Sequence, residues 1–370
     1  MGLALVALVI GTWIGLVKIG VPLSPRPGAS LAAVHGPLMV SAFLGTLISV
    51  ERAIGLRRRL VYAVPVLTAA GGAVLISGMS ETAGQALVTA GSLGAFLVSG
   101  YLVRLQRGLS NELMGLGNAL WLVGNIAWLA GEPLHVAMPW WVGFLVLTIG
   151  GERVQLSRIR HPSSWARAPL VAAVALYVAA LSLGMPYPDL GVRLSGAGLV
   201  GISAWLLVYD LAPTTIGMQR GPARYSSIGL VLGYLWLGAA GVLVGIVGSY
   251  TGGPRYDAFV HAIFLGFGFS MIFVHAPMIF PAITGRPMRF HGWLYSHLFL
   301  LHASLLLRVA ADLWGGSDMR SWGGAMNAAA IGLFLVNTAW AMLTARGSPS
   351  GEKAPGDGVG DGVARRRKPA

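Results

Sequence analysis

The sequence predicts an all-α integral membrane protein of about twelve transmembrane helices in three quasi-repeated groups of four, and three observations carry that prediction. Hydrophobic residues make up 55% of the 370-residue chain and charged residues only 11%, with a mean hydropathy of +0.70, whereas soluble domains carry about 25% charged residues. Apolar segments long enough to cross a bilayer, about 17 to 25 residues, recur from one end of the chain to the other. Basic residues gather in alternate connections. The net charge of +13 therefore reads as a topology signal, not as a nucleic-acid footprint.

The first segment, 3–20, begins MGLALVALVIGTWIGLVKIG. It has no basic leader and no small-x-small cleavage pattern, so it is expected to stay as a helix. Further spans are expected near 31–54, 60–79, 83–103, 112–130, 137–151, 168–184, 195–211, 227–248, 258–281, 291–313 and 323–344, of which 137–151 is short for a crossing. With a cytoplasmic N-terminus, Arg57, Arg58, Arg59, Arg104, Arg107, Arg153, Arg158, Arg160, Arg167, Arg220, Arg224, Arg286, Arg289 and Arg346 share the cytoplasmic side. Lys18, Arg26, Arg193, Arg255 and Arg320 take the other. This asymmetry places the chain in the inner membrane with both termini cytoplasmic. The Gly-, Pro- and charge-rich end has no apolar period, which divides the chain into a polytopic domain, 1–345, and a disordered basic cytoplasmic tail, 346–370.

An internal repeat is visible. FLGTLISVERAIGLRR at 43–58 aligns without gaps on FLVLTIGGERVQLSRI at 144–159, with six identities in sixteen positions. The two lie on the second and sixth spans. Four spans on, the tenth reads HAIFLGFGFSMIFVHAPMIFPAITGR, again opening on a histidine and ending in an arginine. Parallel repeats at even spacing differ from the inverted halves of many transporters.

The second span opens VHGPLMVSAFLG and carries His35; the tenth opens on His261. Twelve helices in three arcs with histidines there resemble subunit I of the haem–copper oxidases, in which such histidines ligate a low-spin haem. The sixth span has only His135, at its outer end, and the seventh has no histidine within it. The copper ligands that a complete oxidase centre needs are therefore missing. The segment HAIFLGFGFSMIFVHAPMIFPAITGRPM, with His261, His275 and the turn at Arg286, is similar to the NnrS family of haem- and copper-associated membrane proteins linked to nitric oxide stress. That resemblance implies b-type haem and copper as cofactors, a diatomic ligand such as NO or O2, and a function in binding or detoxifying the gas or protecting against nitrosative stress. It leaves open a haem-dependent oxidoreductase activity and an unidentified redox partner.

An ionisable group inside a span is a functional candidate by default. His35 and His261 sit at matching depth, and two neutral imidazoles hold a six-coordinate haem iron; the bland alternative is that each meets interfacial water or a backbone carbonyl. Met39, one turn from His35, is an alternative ligand or simple packing. His275 lies 14 residues beyond His261, about 21 Å along a helix, so one iron cannot take both. His275 and His297 are expected to share a metal if their helices are neighbours, with His302 a further metal candidate or inter-helix glue. His291 and His161 read as interfacial. Glu51–Arg52 and Glu152–Arg153 occupy matching positions, and cross-repeat pairs, Glu51 with Arg153 and Glu152 with Arg52, serve either as a structural girdle or as a proton path. Arg308 is expected to bind a haem propionate or to satisfy Asp312 at i+4.

With no cysteine, disulfides, thiolate-ligated haem and iron–sulfur clusters are excluded. No P-loop, HExxH or nucleophile-elbow motif is present. Two rival readings remain. One is a proton-coupled small-solute permease, whose signature is pH-dependent uptake lost on changing His275 or Glu51. The other is a cofactor-free membrane assembly factor, whose histidine variants change partner binding and no spectrum.

Overall fold

The computed structural model describes residues 1–157, 164–249, 251–285 and 287–345. His161, Arg158, Arg160, Arg286 and the 346–370 tail lie outside the described residues. Helix is the regular structure among those described, with no strand. Label the helices α1 (Gly2–Lys18), α2 (Ala29–Ala33), α3 (His35–Leu56), α4 (Arg59–Ser77), α5 (Glu81–Leu105), α6 (Leu109–Leu129) and α7 (Leu134–Ser157). The series continues with α8 (Ser164–Leu183), α9 (Pro188–Thr215), α10 (Gly221–Val247), α11 (Pro254–Pro281), α12 (Gly292–Trp314) and α13 (Ser317–Thr344).

Ten of these are long and apolar enough to cross a membrane, which makes the chain a multi-pass membrane protein by helix length and composition. The expected count of twelve is not reproduced. Helix α1 is apolar but has 17 residues. Helix α6 has 21 residues, but Asn111, Glu112, Asn118 and Asn125 dilute its apolarity. The expected short span at 137–151 is instead a 24-residue helix, because Pro139 stands near its start and is accommodated there.

Consecutive long helices lie side by side, and α13 returns to α1, where the Ser321 hydroxyl donates to the Ile19 carbonyl at 2.6 Å. The expected division into quartets is not marked by a break. Helices α5 and α6, which would belong to different quartets, are tied by the Asn118 amide donating to Ser99 at 2.8 Å. Small residues permit close approach, since no hydrophobic force pulls helices together in lipid. A side chain at Gly196 of α9 would meet the Gly241 carbonyl of α10 at 2.5 Å. The RRR stop after α3 is structural too: Arg57 adopts φ 52° and caps α3 in the left-handed conformation.

Two helices depart from α geometry. In α3 the stretch Leu38–Gly45, and in α11 the stretch Ala262–Phe269, are π-helical over eight residues each. Such segments are rare and concentrate at functional sites. In each, a glycine lies against an indole from a neighbouring helix, Gly45 against Trp121 and Gly266 against Trp236. Helix α7, which resembles α3 in sequence, has no π segment. The structural likeness is between α3 and α11.

Candidate functional site

The π segments position the two expected haem histidines. His35 is the first residue of α3, and His261 stands immediately before the π segment of α11. Their rings lie 6.4 Å apart between centroids with 21° between planes. Eight residues further along each helix, Phe43 and Phe269 pair at 5.8 Å. Two matched rungs, His–His and Phe–Phe, fix α3 and α11 as parallel neighbours in register.

Each ring is held from behind. His35 Nδ1 lies 2.7 Å from the Gly11 carbonyl of α1, and His261 Nδ1 lies 2.9 Å from the Asp257 carbonyl one turn back. A carbonyl only accepts, so each Nδ1 carries the proton and each Nε2 keeps its lone pair. A backbone carbonyl behind the ring is the arrangement that orients metal-ligating histidines. The seat for His35 is made by two glycines of α1. A side chain at Gly15 would come within 2.8 Å of His35 Cε1, and one at Gly11 within 2.7 Å of Met39 Sδ. Sequence reasoning missed this role, although the signal, Gly-Thr-Trp-Ile-Gly with glycines four apart, was present.

Both histidines line a cavity of about 580 Å³ that also touches Met39, His135, Tyr256, Lys18, Arg308 and Arg320. Its size falls in the range of cofactor pockets, about 300 to 1,000 Å³. The charged wall differs from expectation. Arg308 does not satisfy Asp312; its Nε and Nη2 donate to Asp257 Oδ2 at 3.0 and 2.8 Å, because α12 packs on the start of α11. Asp312 instead meets Arg320 of α13 at 2.7 Å, in ion-pair rather than hydrogen-bond geometry. Asp257 also approaches Arg320 at 3.5 Å and His261 at 3.3 Å. It is the hub of this wall, and sequence reasoning passed over it although it stands four residues before His261.

The remaining histidines separate. His297 is buried, with Nε2 2.9 Å from the Tyr225 hydroxyl and Nδ1 3.1 Å from the Asn337 amide. Asn337 can only donate there, so Nε2–H faces Tyr225 and no lone pair is left for a metal. His302 accepts from Trp236 Nε1 at 3.0 Å and reaches Ser270 Oγ at 3.4 Å. The expectation that His275 and His297 share a metal is corrected accordingly: His297 and His302 are satisfied inter-helix links. Among the described residues no group of three or more His, Asp or Glu is placed to hold a metal ion. His275 bonds the Met271 carbonyl through Nδ1 at 2.7 Å and keeps Nε2 free.

Of the two cross-repeat pairs, one forms. Arg52 meets Glu152 at 2.7 Å, both about one-third exposed. Arg153 does not reach Glu51. It grips Asp210 through two bonds of 3.0 Å, both groups buried, and the Tyr234 hydroxyl donates to the same carboxylate at 2.8 Å. Asp210 also caps the last turn of α9 by accepting from Ala212 N. Glu51 makes no ion pair among the described residues. It lines a second cavity with Glu152 and His275.

The family described as "Domain of unknown function (DUF8744)" matches residues 1–343, and the chain belongs to it. No curated protein and no solved structure matches the chain.

Proposed function

We propose that this chain is a haem protein of the membrane in which His35 and His261 hold one iron between α3 and α11. The single observation that carries the reading is the His–His pair. The 6.4 Å between the ring centroids is about what two imidazoles would leave with one metal between them, at about 2 Å from a nitrogen of each. The protonated Nδ1 atoms and the neighbouring cavity agree with that fit. With no cysteine in the chain, thioether attachment is excluded, which supports a haem held without a covalent link, as b-type haem is.

Bound haem supplies one-electron chemistry at its iron. The protein's part is to hold two imidazoles, to exclude bulk water with the Phe43–Phe269 pair, and to face the propionates with Lys18, Arg308 and Arg320. Haem held by both His35 and His261 would supply electron transfer as its direct chemistry, and binding NO or O2 would require one of the two to release it. Among the described residues no group of three or more His, Asp or Glu gathers at His275 to hold copper, and copper is not part of the proposal.

The reading extends to topology. Twelve crossings in three groups of four, with α1 and α6 counted as spans, bring both ends of the chain to the same side. The excess of arginine in the connections on that side supports the cytoplasmic face of an inner membrane. The haem–copper-oxidase-like arrangement is supported by the parallel, in-register α3 and α11.

The test is an absorption spectrum of the detergent-purified chain, oxidised and reduced, with metal analysis on the same sample. A Soret band that moves on reduction, and is lost in His35→Ala and in His261→Ala, is the expected result. A colourless preparation from cells with ample haem overturns the reading and leaves the permease as the better account, since the second cavity carries Glu51 and His275.

A further inference from the structure

Below the Phe43–Phe269 pair lies a second cavity of about 100 Å³. Phe269 and Leu44 wall both cavities, so the two are stacked along the bundle. The walls of the lower one are apolar and aromatic, with Phe43, Phe269, Phe280 and Phe334 among them and the start of α1 closing one side.

Its polar groups are of one kind. Glu51 makes no ion pair among the described residues and offers carboxylate oxygens. His275 spends its proton on the Met271 carbonyl and offers the lone pair of Nε2. Glu152 is already held by Arg52.

A ligand that fits must therefore be flat and apolar enough for the phenylalanines, lipid-soluble enough to arrive from the bilayer, and a donor of hydrogen bonds at its polar atoms. Aromatic diols meet all three conditions. Their oxidised partners, with carbonyls in place of hydroxyls, only accept, and would set acceptor against acceptor at Glu51 and His275. We infer that the lower cavity, through Glu51 and His275, binds a lipid-soluble hydroquinone in preference to the corresponding quinone. Binding needs no redox step and does not depend on haem in the upper cavity.

The test uses the full chain in detergent, titrated calorimetrically under argon with a short-tailed benzohydroquinone and, separately, with its quinone. The hydroquinone is expected to bind about tenfold more tightly, the factor associated with hydrogen bonds to a charged acceptor. Glu51→Gln, which adds a donor, is expected to bring the two forms to near-equal affinity. Should Glu51→Gln lose its helical circular dichroism, His275→Gln provides the same reading. Equal affinity of both forms for the native chain, no binding of either, or a preference untouched by Glu51→Gln and by His275→Gln would overturn the inference. An absorption spectrum of each sample reports the haem reading separately, so either can fail alone.

Discussion

Gly15→Ala tests whether α1 holds His35 in a ligating pose, without touching either histidine. A Cβ built on Gly15 lies 2.8 Å from His35 Cε1, 3.3 Å from Nδ1 and 3.4 Å from Nε2. The ring must retreat by several tenths of an ångström, yet its Nδ1 is tethered at 2.7 Å to the Gly11 carbonyl of the same helix. Losing that bond costs about 1 kcal/mol, and the added methyl costs about 1 to 3 kcal/mol of overpacking where nothing yields. Loss of the group behind a ligating histidine lowers metal affinity about 10- to 100-fold. The assay is haem titration of the apo-protein followed at the Soret band, with Gly2→Ala as control, since a Cβ at Gly2 of the same helix meets nothing within 4 Å. Gly2→Ala should bind as the native chain does, and Gly15→Ala one to two orders of magnitude more weakly. Native affinity in Gly15→Ala would falsify the claim that α1 positions the ring.

The buried contacts set further outcomes. Asp210→Asn breaks a buried, two-bonded pair with Arg153, whose side chains are 0% and 7% exposed, and should cost about 3 to 5 kcal/mol. Arg52→Ala removes a pair that is 31% and 29% exposed and should cost under about 1 kcal/mol; denaturant melts of both variants in one detergent check the order, and equal losses would contradict it. His297→Phe takes one partner each from the Tyr225 hydroxyl and the Asn337 amide, which keep the Phe273 carbonyl and the Ser296 hydroxyl. It should cost about 1 kcal/mol per lost bond and leave the haem spectrum unchanged, and a shifted Soret band in that variant argues against the assignment of His297 as a structural link. Carbon monoxide should leave the reduced native spectrum unmoved, and a prompt shift would mean that one of the two histidines does not hold the iron.

The bundle was legible because lipid imposes a crude rule: about twenty apolar residues in a row have few alternatives to a spanning helix. His35 and His261 were legible because polar groups in such segments stand out. Partners on other helices were not. Arg153 and Asp210 are 57 residues apart, and nothing local marks the pairing. Arg308 looked to Asp312 at i+4, but the packing of α12 on α11 brings Asp257, 51 residues away, within 2.8 Å. His297 and His302 looked like His275 in sequence, and only their surroundings, Tyr225 with Asn337 and Trp236 with Ser270, tell satisfied rings from a free one. Helix α6 falls short of the apolarity by which spans are counted for a physical reason: its Asn118 and Asn125 serve packing against neighbouring helices.

The two π segments connect these findings. A π turn takes up an extra residue and rotates the helix before it relative to the helix after it. In α3 and α11 the rotation falls between the histidine and the Phe43–Phe269 level, so the ring can face its counterpart while the rest of the helix keeps its packing. The distortion is held by specific contacts. Ser41, inside the first segment, accepts from Trp121 Nε1 at 3.1 Å and donates to Asn125 at 3.3 Å. Ser270, just after the second, bonds the Gly266 carbonyl at 2.5 Å. Both histidines are thus fixed twice, by a carbonyl at Nδ1 and by a braced turn beneath. If the two rings hold haem as proposed, ligands fixed in that way would resist displacement by a gas. The carbon monoxide experiment measures that resistance directly.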